Sequence, residues 1–405
     1  MNTAGMLRLW FPSAISISLL NLELPIISLI LSAYSLKASG DYAVALSTFM
    51  FANAFVFPLC AVVIKMKKSA ETLMFSALLA VAVFLIFNLG VWGFRQHISP
   101  HIAFITHVFS LSLLAVGVRR YLQGCCIQEG KTALMSRASF VRVLVSVLGC
   151  YALTRFQVPV DMAAILALVA GAYTEAILLL LLVLRQGIRL HEGGGRHYRQ
   201  IIAPYFSAFL MTASSLMSNI IVVICLSRVI GGSEVLQYWP LTFGLICISI
   251  GAVLDIESIL LKILGHQPQK KQQFSFLALL CLAAPLLFVA LCLILDRFDL
   301  LPAGSRTIYM NAEFFIAIVG VSMLWILRGY IRANLMNDNR LRIINASILV
   351  AMMTPLAVFY AVEIPNYGVM LSLSIFSALI ILELLCYGLY GMTQALQRRQ
   401  IAAEE

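Results

Sequence analysis

The sequence predicts an all-α polytopic membrane protein with about twelve transmembrane helices in two six-helix lobes related by an internal repeat. Three observations carry this. Of the 405 residues, 61% are hydrophobic and only 11% are charged, an inversion of the usual balance in a soluble chain. The apolar residues fall in blocks of the roughly 20 residues that a helix needs to cross a bilayer. Finally, GVRRYLQG (Gly117–Gly124) returns as ILRGYIRA about 209 residues later, placing Arg119 over Arg328 and Tyr121 over Tyr330. Ala138-Ser139 lies over Ala346-Ser347, and Glu175 over Glu383, in nearly the same register.

The first half supplies spans near Leu9–Ala33, Tyr42–Ile64, Ala70–Phe94, Ile102–Val118, Leu134–Thr154 and Asp161–Leu184. Each is an uncharged or nearly uncharged run closed by basic residues, prolines or glycines. The second half supplies Ile202–Ser227, Val235–Leu261, Phe274–Leu295, Tyr309–Leu327, Ile343–Val362 and Tyr367–Tyr390. The division is a lobe over residues 1–190, a basic, glycine-containing connector over 191–200, and a second lobe over 201–405. The change in repeat offset between the first and later spans implies extra residues in the loops after spans eight and nine. The gaps hold no soluble domain.

The formal charge of +10 is a topology signal rather than a nucleic-acid signal. With the N-terminus inside, roughly 21 lysines and arginines lie on the cytoplasmic side and about six on the other, which puts both termini in the cytoplasm. Asn21, Glu23 and Pro25 and the length of the first apolar stretch argue against a cleaved signal peptide. The cysteines lack CxxC or Cys/His spacing and read as packing residues. His97 and His101 have Pro100 between them and no acidic ligand accompanying them, so no metal site is expected there. No cofactor, nucleotide fingerprint or hydrolase motif is expected either, and the chain reads as a non-enzyme.

Glu23 is the leading candidate for chemistry. It lies about 14 residues into span one, roughly 20 Å from the cytoplasmic end at 1.5 Å per residue, beside Asn21 and Pro25. A carboxylate next to a proline bend can link protonation to helix shape; the bland alternative is an acid hydrogen-bonded to a neighbouring span. No basic residue at similar depth is evident for it. Arg142 and Glu175, on successive spans at similar depth, read as a neutralising ion pair, or as part of the pathway. Glu383 repeats Glu175, but Val350 stands at the position of Arg142, so a different partner is expected, Asn345 or Arg328. Asp255 and Glu257 close span eight as gate or interfacial charges. Arg119, Arg120, Arg328 and Arg332 cap spans four and ten from the inside and suit anions or lipid headgroups.

The segments Trp10-Phe11-Pro12 and Glu23-Leu24-Pro25, the RRYLQG end of span four followed by ALMSRASFVRVLVS, and Leu226-Ser227-Arg228-Val229-Ile230-Gly231-Gly232 together resemble the multidrug/oligosaccharidyl-lipid/polysaccharide (MOP) flippase superfamily, in its MATE-like or progressive-ankylosis-like branches. The Lys65-Met66-Lys67-Lys68-Ser69 loop does not match the signature of the major facilitators. The resemblance implies a V-shaped pair of lobes exchanging inward- and outward-open forms, with an acid on the first helix taking up protons, a placement that Glu23 matches. The expected function is a secondary-active exporter or flippase, proton-coupled, moving a small organic ion or amphiphile out of the cytoplasm. A flippase for a lipid-linked oligosaccharide and a non-transporting membrane scaffold are the alternatives. The expected partners are that substrate and membrane lipids, with the chain acting as a monomer in a bacterial inner membrane.

Overall fold

Long apolar runs with few interior breakers leave the backbone one way to satisfy its polar groups away from water, and that is helix. The computed structural model is helical, with short turns between helices, across its described residues. These are 3–66, 68–191, 198–229, 232–251, 270–297, 311–338, 340–362 and 368–404, with single residues or pairs between 253 and 264, and residue 365.

The first half contains α1 (Thr3–Tyr34), α2 (Leu36–Val56), α3 (Leu59–Met66), α4 (Ala70–Gly93), α5 (Pro100–Ser110), α6 (Ser112–Gln128), α7 (Ala133–Arg155) and α8 (Val160–Arg185). The second contains α9 (Tyr198–Arg228), α10 (Gly232–Gly251), α11 (Lys270–Arg297), α12 (Ala312–Asn337), α13 (Leu341–Ala361) and α14 (Val369–Glu404). The pairs α2/α3 and α5/α6 each form one continuous span, so ten segments among the described residues are long and apolar enough to cross a membrane. Helices α9 and α10 occupy the places of spans seven and eight. Side-chain caps mark several starts: Ser35, Ser69, Ser99 and Asn311 each accept an N–H from the first turn of α2, α4, α5 and α12.

The repeat is visible in the packing. Helix α7 lies on α8 as α13 lies on α14, α6 lies on α8 as α12 lies on α14, and α1 lies on α7 as α9 lies on α13. The halves meet through α1 against α10, and α2 against both α9 and α10. Helix α1 belongs to both cores. Met6, Trp10 and Ala14 pack in the cluster built mainly by the second half, whereas Ile27 and Leu31 pack in the cluster of the first.

Close helix contact depends on small residues, since packing rather than water exclusion drives association inside a bilayer. A Cβ on Gly171 of α8 would stand 2.0 Å from Ser146 Oγ on α7, and one on Gly244 of α10 would stand 3.0 Å from Pro25 of α1. Helix α1 runs without interruption through Pro25.

Two expectations change here. Span four does not stop at Val118 but continues to Gln128, and span ten continues to Asn337. Arg119, Arg120, Arg328 and Arg332 therefore stand inside their helices rather than capping them; Arg119 lies roughly 13 Å from the end of α6 at 1.5 Å per residue. The connector residues 192–197, the loops expected to hold the extra residues, and Asp255 lie outside the described residues.

Candidate functional site: two buried charge chains and a cavity

Helix α6 directs Arg119 toward α8, where its Nη1 donates to Glu175 Oε2 at 2.8 Å. Arg142 of α7 donates to the same oxygen through Nη1 at 3.0 Å, and Ser139, one turn earlier, donates to Glu175 Oε1 at 2.8 Å. The other edge of Arg142 holds Glu23 of α1: Nε lies 3.1 Å from both carboxylate oxygens and Nη2 lies 2.6 Å from Oε2. Arg119–Glu175–Arg142–Glu23 is thus a neutral chain of two cations and two anions. Glu23 and Glu175 are 1% and 0% exposed. Burying such charges is costly unless they are paired and their remaining hydrogen-bonding sites are filled, as they largely are here.

The second half builds the same chain. Arg332 donates to Glu383 through Nε at 2.5 Å and Nη2 at 2.8 Å, and to Glu257 through Nη1 at 3.0 Å. Arg328 Nη1 stands 3.7 Å from Glu383 Oε2, with its guanidinium 3.7 Å from the centre of the Trp325 ring. Tyr387, one turn beyond Glu383 on α14, donates to Glu383 Oε1. The order Arg328–Glu383–Arg332–Glu257 repeats the first chain's alternation of cation and anion. In each half one arginine (Arg119, Arg328) and one glutamate (Glu175, Glu383) are repeat equivalents. The second arginine comes from α7 in the first half and from α12 in the second, where it replaces Gln123.

The ion pair of Arg142 with Glu175 is present as the sequence suggested. The expectation that Glu23 has no basic neighbour is corrected: Arg142 serves both carboxylates, because α1 packs directly on α7. The headgroup reading of Arg119, Arg328 and Arg332 is corrected as well, since all three are buried and turned to glutamates within their own halves. For Glu383, Arg332 is the main partner, beside Arg328. Glu257 is paired with Arg332. Sequence reading misses the depth of Arg119 and the tie of Ser139 and Tyr387 to the glutamates. A signal for the first was present, because Arg119/Arg328 and Glu175/Glu383 recur together.

Beside Glu23 opens a cavity of about 130 Å³ in the first half, bounded at one edge by Leu254 from the second. Its polar lining is Asn21, Glu23, Asn53, Ser112, Arg119, Arg120, Gln123 and Arg142. Arg120 stacks 3.6 Å over the Phe57 ring and donates to Gln123 Oε1. Asn21 reaches out of the lobe, its Nδ2 donating to the Cys247 carbonyl of α10 at 2.8 Å, and Pro25 is the surface on which Gly244 closes.

At the opposite ends of these helices, His101 does have acidic company. Its Nε2 pairs with Asp161, and Asp41 offers a carboxylate oxygen within 4.8 Å of the others. Three helix starts far apart in sequence (α2, α5, α8) bring these residues together, which sequence spacing does not show.

No family model matches the chain, and no curated protein matches it by sequence. Solved structures do. An outward-facing multidrug resistance MATE family transporter of the MOP superfamily superposes with a TM-score of 0.66 at 13% identity, over 98% of this chain and 97% of that one. An inward-facing MATE family transporter of the MOP superfamily gives 0.66 at 10%, over 94% and 96%. The Vibrio cholerae MATE transporter VcmN, as a point mutant, gives 0.61 at 12%, over 98% and 97%. The chain is an integral membrane protein with the fold of MATE transporters of the MOP superfamily.

Proposed function

We propose that this chain is a secondary-active transporter of the MOP type, an exporter or flippase that works by alternating access, and that Glu23 links proton movement to the exchange of states. The observation that carries this reading is the position of Glu23. It stands on the one helix that, among the described residues, packs in both hydrophobic cores, at the point where that helix passes from one to the other, ion-paired to Arg142 beside a cavity. A proton on Glu23 would remove one charge from a buried pair and leave Arg142 short of a counter-ion. The pair and the packing of α1 then have to rearrange together, and α1 carries that rearrangement to α10 through Asn21 and Pro25. The transporter folds as two six-helix lobes joined by the 191–200 connector. It acts as a monomer in a bacterial inner membrane with both termini cytoplasmic, the orientation the basic residues favour.

The reading is tested in oriented proteoliposomes under an imposed proton gradient. Wild-type protein should move substrate with proton flux, and Glu23→Gln should stay folded and lose the gradient-driven component. Transport unchanged in the mutant would remove Glu23 from the mechanism. The flippase reading for a lipid-linked oligosaccharide gains one specific support: three arginines line the cavity, against Glu23 as the one acid among its described lining residues.

A further inference from the structure

The cavity carries a chemical preference of its own. Arg119, Arg120 and Arg142 line it, with Arg119 in contact with Glu175, and Arg142 with both Glu175 and Glu23. Arg119 is 3% exposed, and its Nε has no hydrogen-bond partner among the described residues. The Oδ1 of Asn53, also on the cavity wall and 3% exposed, has none either. Buried polar atoms without partners are rare and call for a ligand or water.

Glu23 itself shows what that ligand resembles. Of the two carboxylates on Arg142, Glu175 is fixed by a second arginine and by Ser139. Glu23 is held by Arg142 alone among the hydrogen bonds the structure gives it. It presents two oxygens to the Nε/Nη2 edge of a guanidinium, the fork geometry by which arginine takes phosphate or carboxylate from a ligand.

We propose that the cavity is an oxyanion site for the transported substrate, and that Glu23 is a tethered occupant of the place on Arg142 that a phosphate or carboxylate group of that substrate takes. The proposal rests on the transport reading above and names its substrate class. Exchange of one oxyanion for the other keeps Arg142 paired throughout, so its burial is never left uncompensated. The displaced Glu23 carboxylate takes up a proton delivered from the solvent as hydronium, which is left as water, and no other bond is made or broken. Arg120 and Arg119 Nε supply further donors as the anion enters. Because Glu23 is part of α1, its release loosens the helix that joins the two cores, so substrate and lobe movement share one contact.

The test is a binding measurement on the full chain in non-ionic detergent, by calorimetric titration with inorganic phosphate, pyrophosphate and farnesyl phosphate, with tetraphenylphosphonium as the opposite charge. At least one phosphate probe should bind the wild type, bind Glu23→Gln about tenfold more tightly because the fork is vacated, and bind Arg142→Gln about tenfold more weakly. Arg120→Gln, which leaves both ion pairs of Arg142 in place, should weaken binding too and serves if Arg142→Gln does not fold. Equal or weaker binding by Glu23→Gln, or preference for the phosphonium cation, would overturn the proposal. Binding of farnesyl phosphate alone supports it with a lipid headgroup as the source. Binding of all three supports it with a free anion as the source. Flux assays with the same probes separate the two readings: anion binding that follows Glu23 and Arg142 without flux overturns transport and leaves the site, whereas flux with no Glu23 effect on affinity does the reverse.

Discussion

Glu175 and Glu383 are the residues on which each half closes its charges, and neither can be removed alone. Replacing Glu175 with glutamine leaves two arginines, Arg119 and Arg142, with a single remaining carboxylate between them. Breaking a buried pair in this way costs about 3–5 kcal/mol, so Glu175→Gln and Glu383→Gln should each lower the melting temperature of the detergent-solubilised protein markedly. Glu23→Gln should lower it less, because only one arginine loses a partner. A second residue-scale prediction concerns pH. At the C-terminal end of α6, Glu129 pairs with Lys68, and that ammonium holds the Glu129 carboxyl below its usual range. Since the folded value is the lowered one, this contact supports the fold above the ordinary carboxylate range and is lost as pH falls through the depressed value. Melting curves taken across the acid range should show this slope in the wild type and a flatter one in Glu129→Gln.

At the scale of helices, the contacts that matter are those a side chain would not fit. A Cβ on Gly171 would meet not only Ser146 but also, at 3.2 Å, the Arg142 carbonyl. Gly171→Val should therefore push α8 off α7, pull Glu175 from its arginines, and cost on the order of 1–3 kcal/mol from overpacking alone, read as a drop in melting temperature. Gly244 meets the backbone of Pro25 across the lobes. Gly244→Leu should leave each half intact and alter exchange between states, seen as a loss of transport with little change in melting. Much at this scale is open to sequence reading. Span lengths, the basic ends and the recurrence of Arg119 with Glu175 as Arg328 with Glu383 all follow from composition and register. The continuation of α6 to Gln128 does not follow, because a charged residue ends a span only when it has no partner, and the partner of Arg119 is 56 residues away.

For the whole molecule, the two halves touch on the side where α2 and α10 begin. There Ser39 Oγ donates to the Gln237 carbonyl at 3.0 Å. Deeper in, Asn219 joins Ser47 of α2 to Trp239 of α10. If the lobes rock, the contact at the helix starts must open in each cycle. A short reversible cross-link between Ser39→Cys and Gln237→Cys, with the native cysteines replaced, should abolish transport, and reductant should restore it. Activity that persists through complete cross-linking would exclude rocking at this contact.

The sequence by itself determined that the chain is an apolar helical bundle, duplicated, with acids placed in register inside its spans. Those properties are local or repeat-bound: hydrophobic length, charge bias, and one motif written twice. The tertiary structure decided which charges meet. Arg142 was legible as a partner for Glu175 because their helices are consecutive. Its hold on Glu23, from a helix 119 positions earlier, required α1 to lie on α7. Likewise His101 acquires Asp161 and Asp41 only where three helix starts converge. An ion pair inside a membrane depends on distance in space, and a chain of helices sets that distance through side-chain packing that no single helix contains.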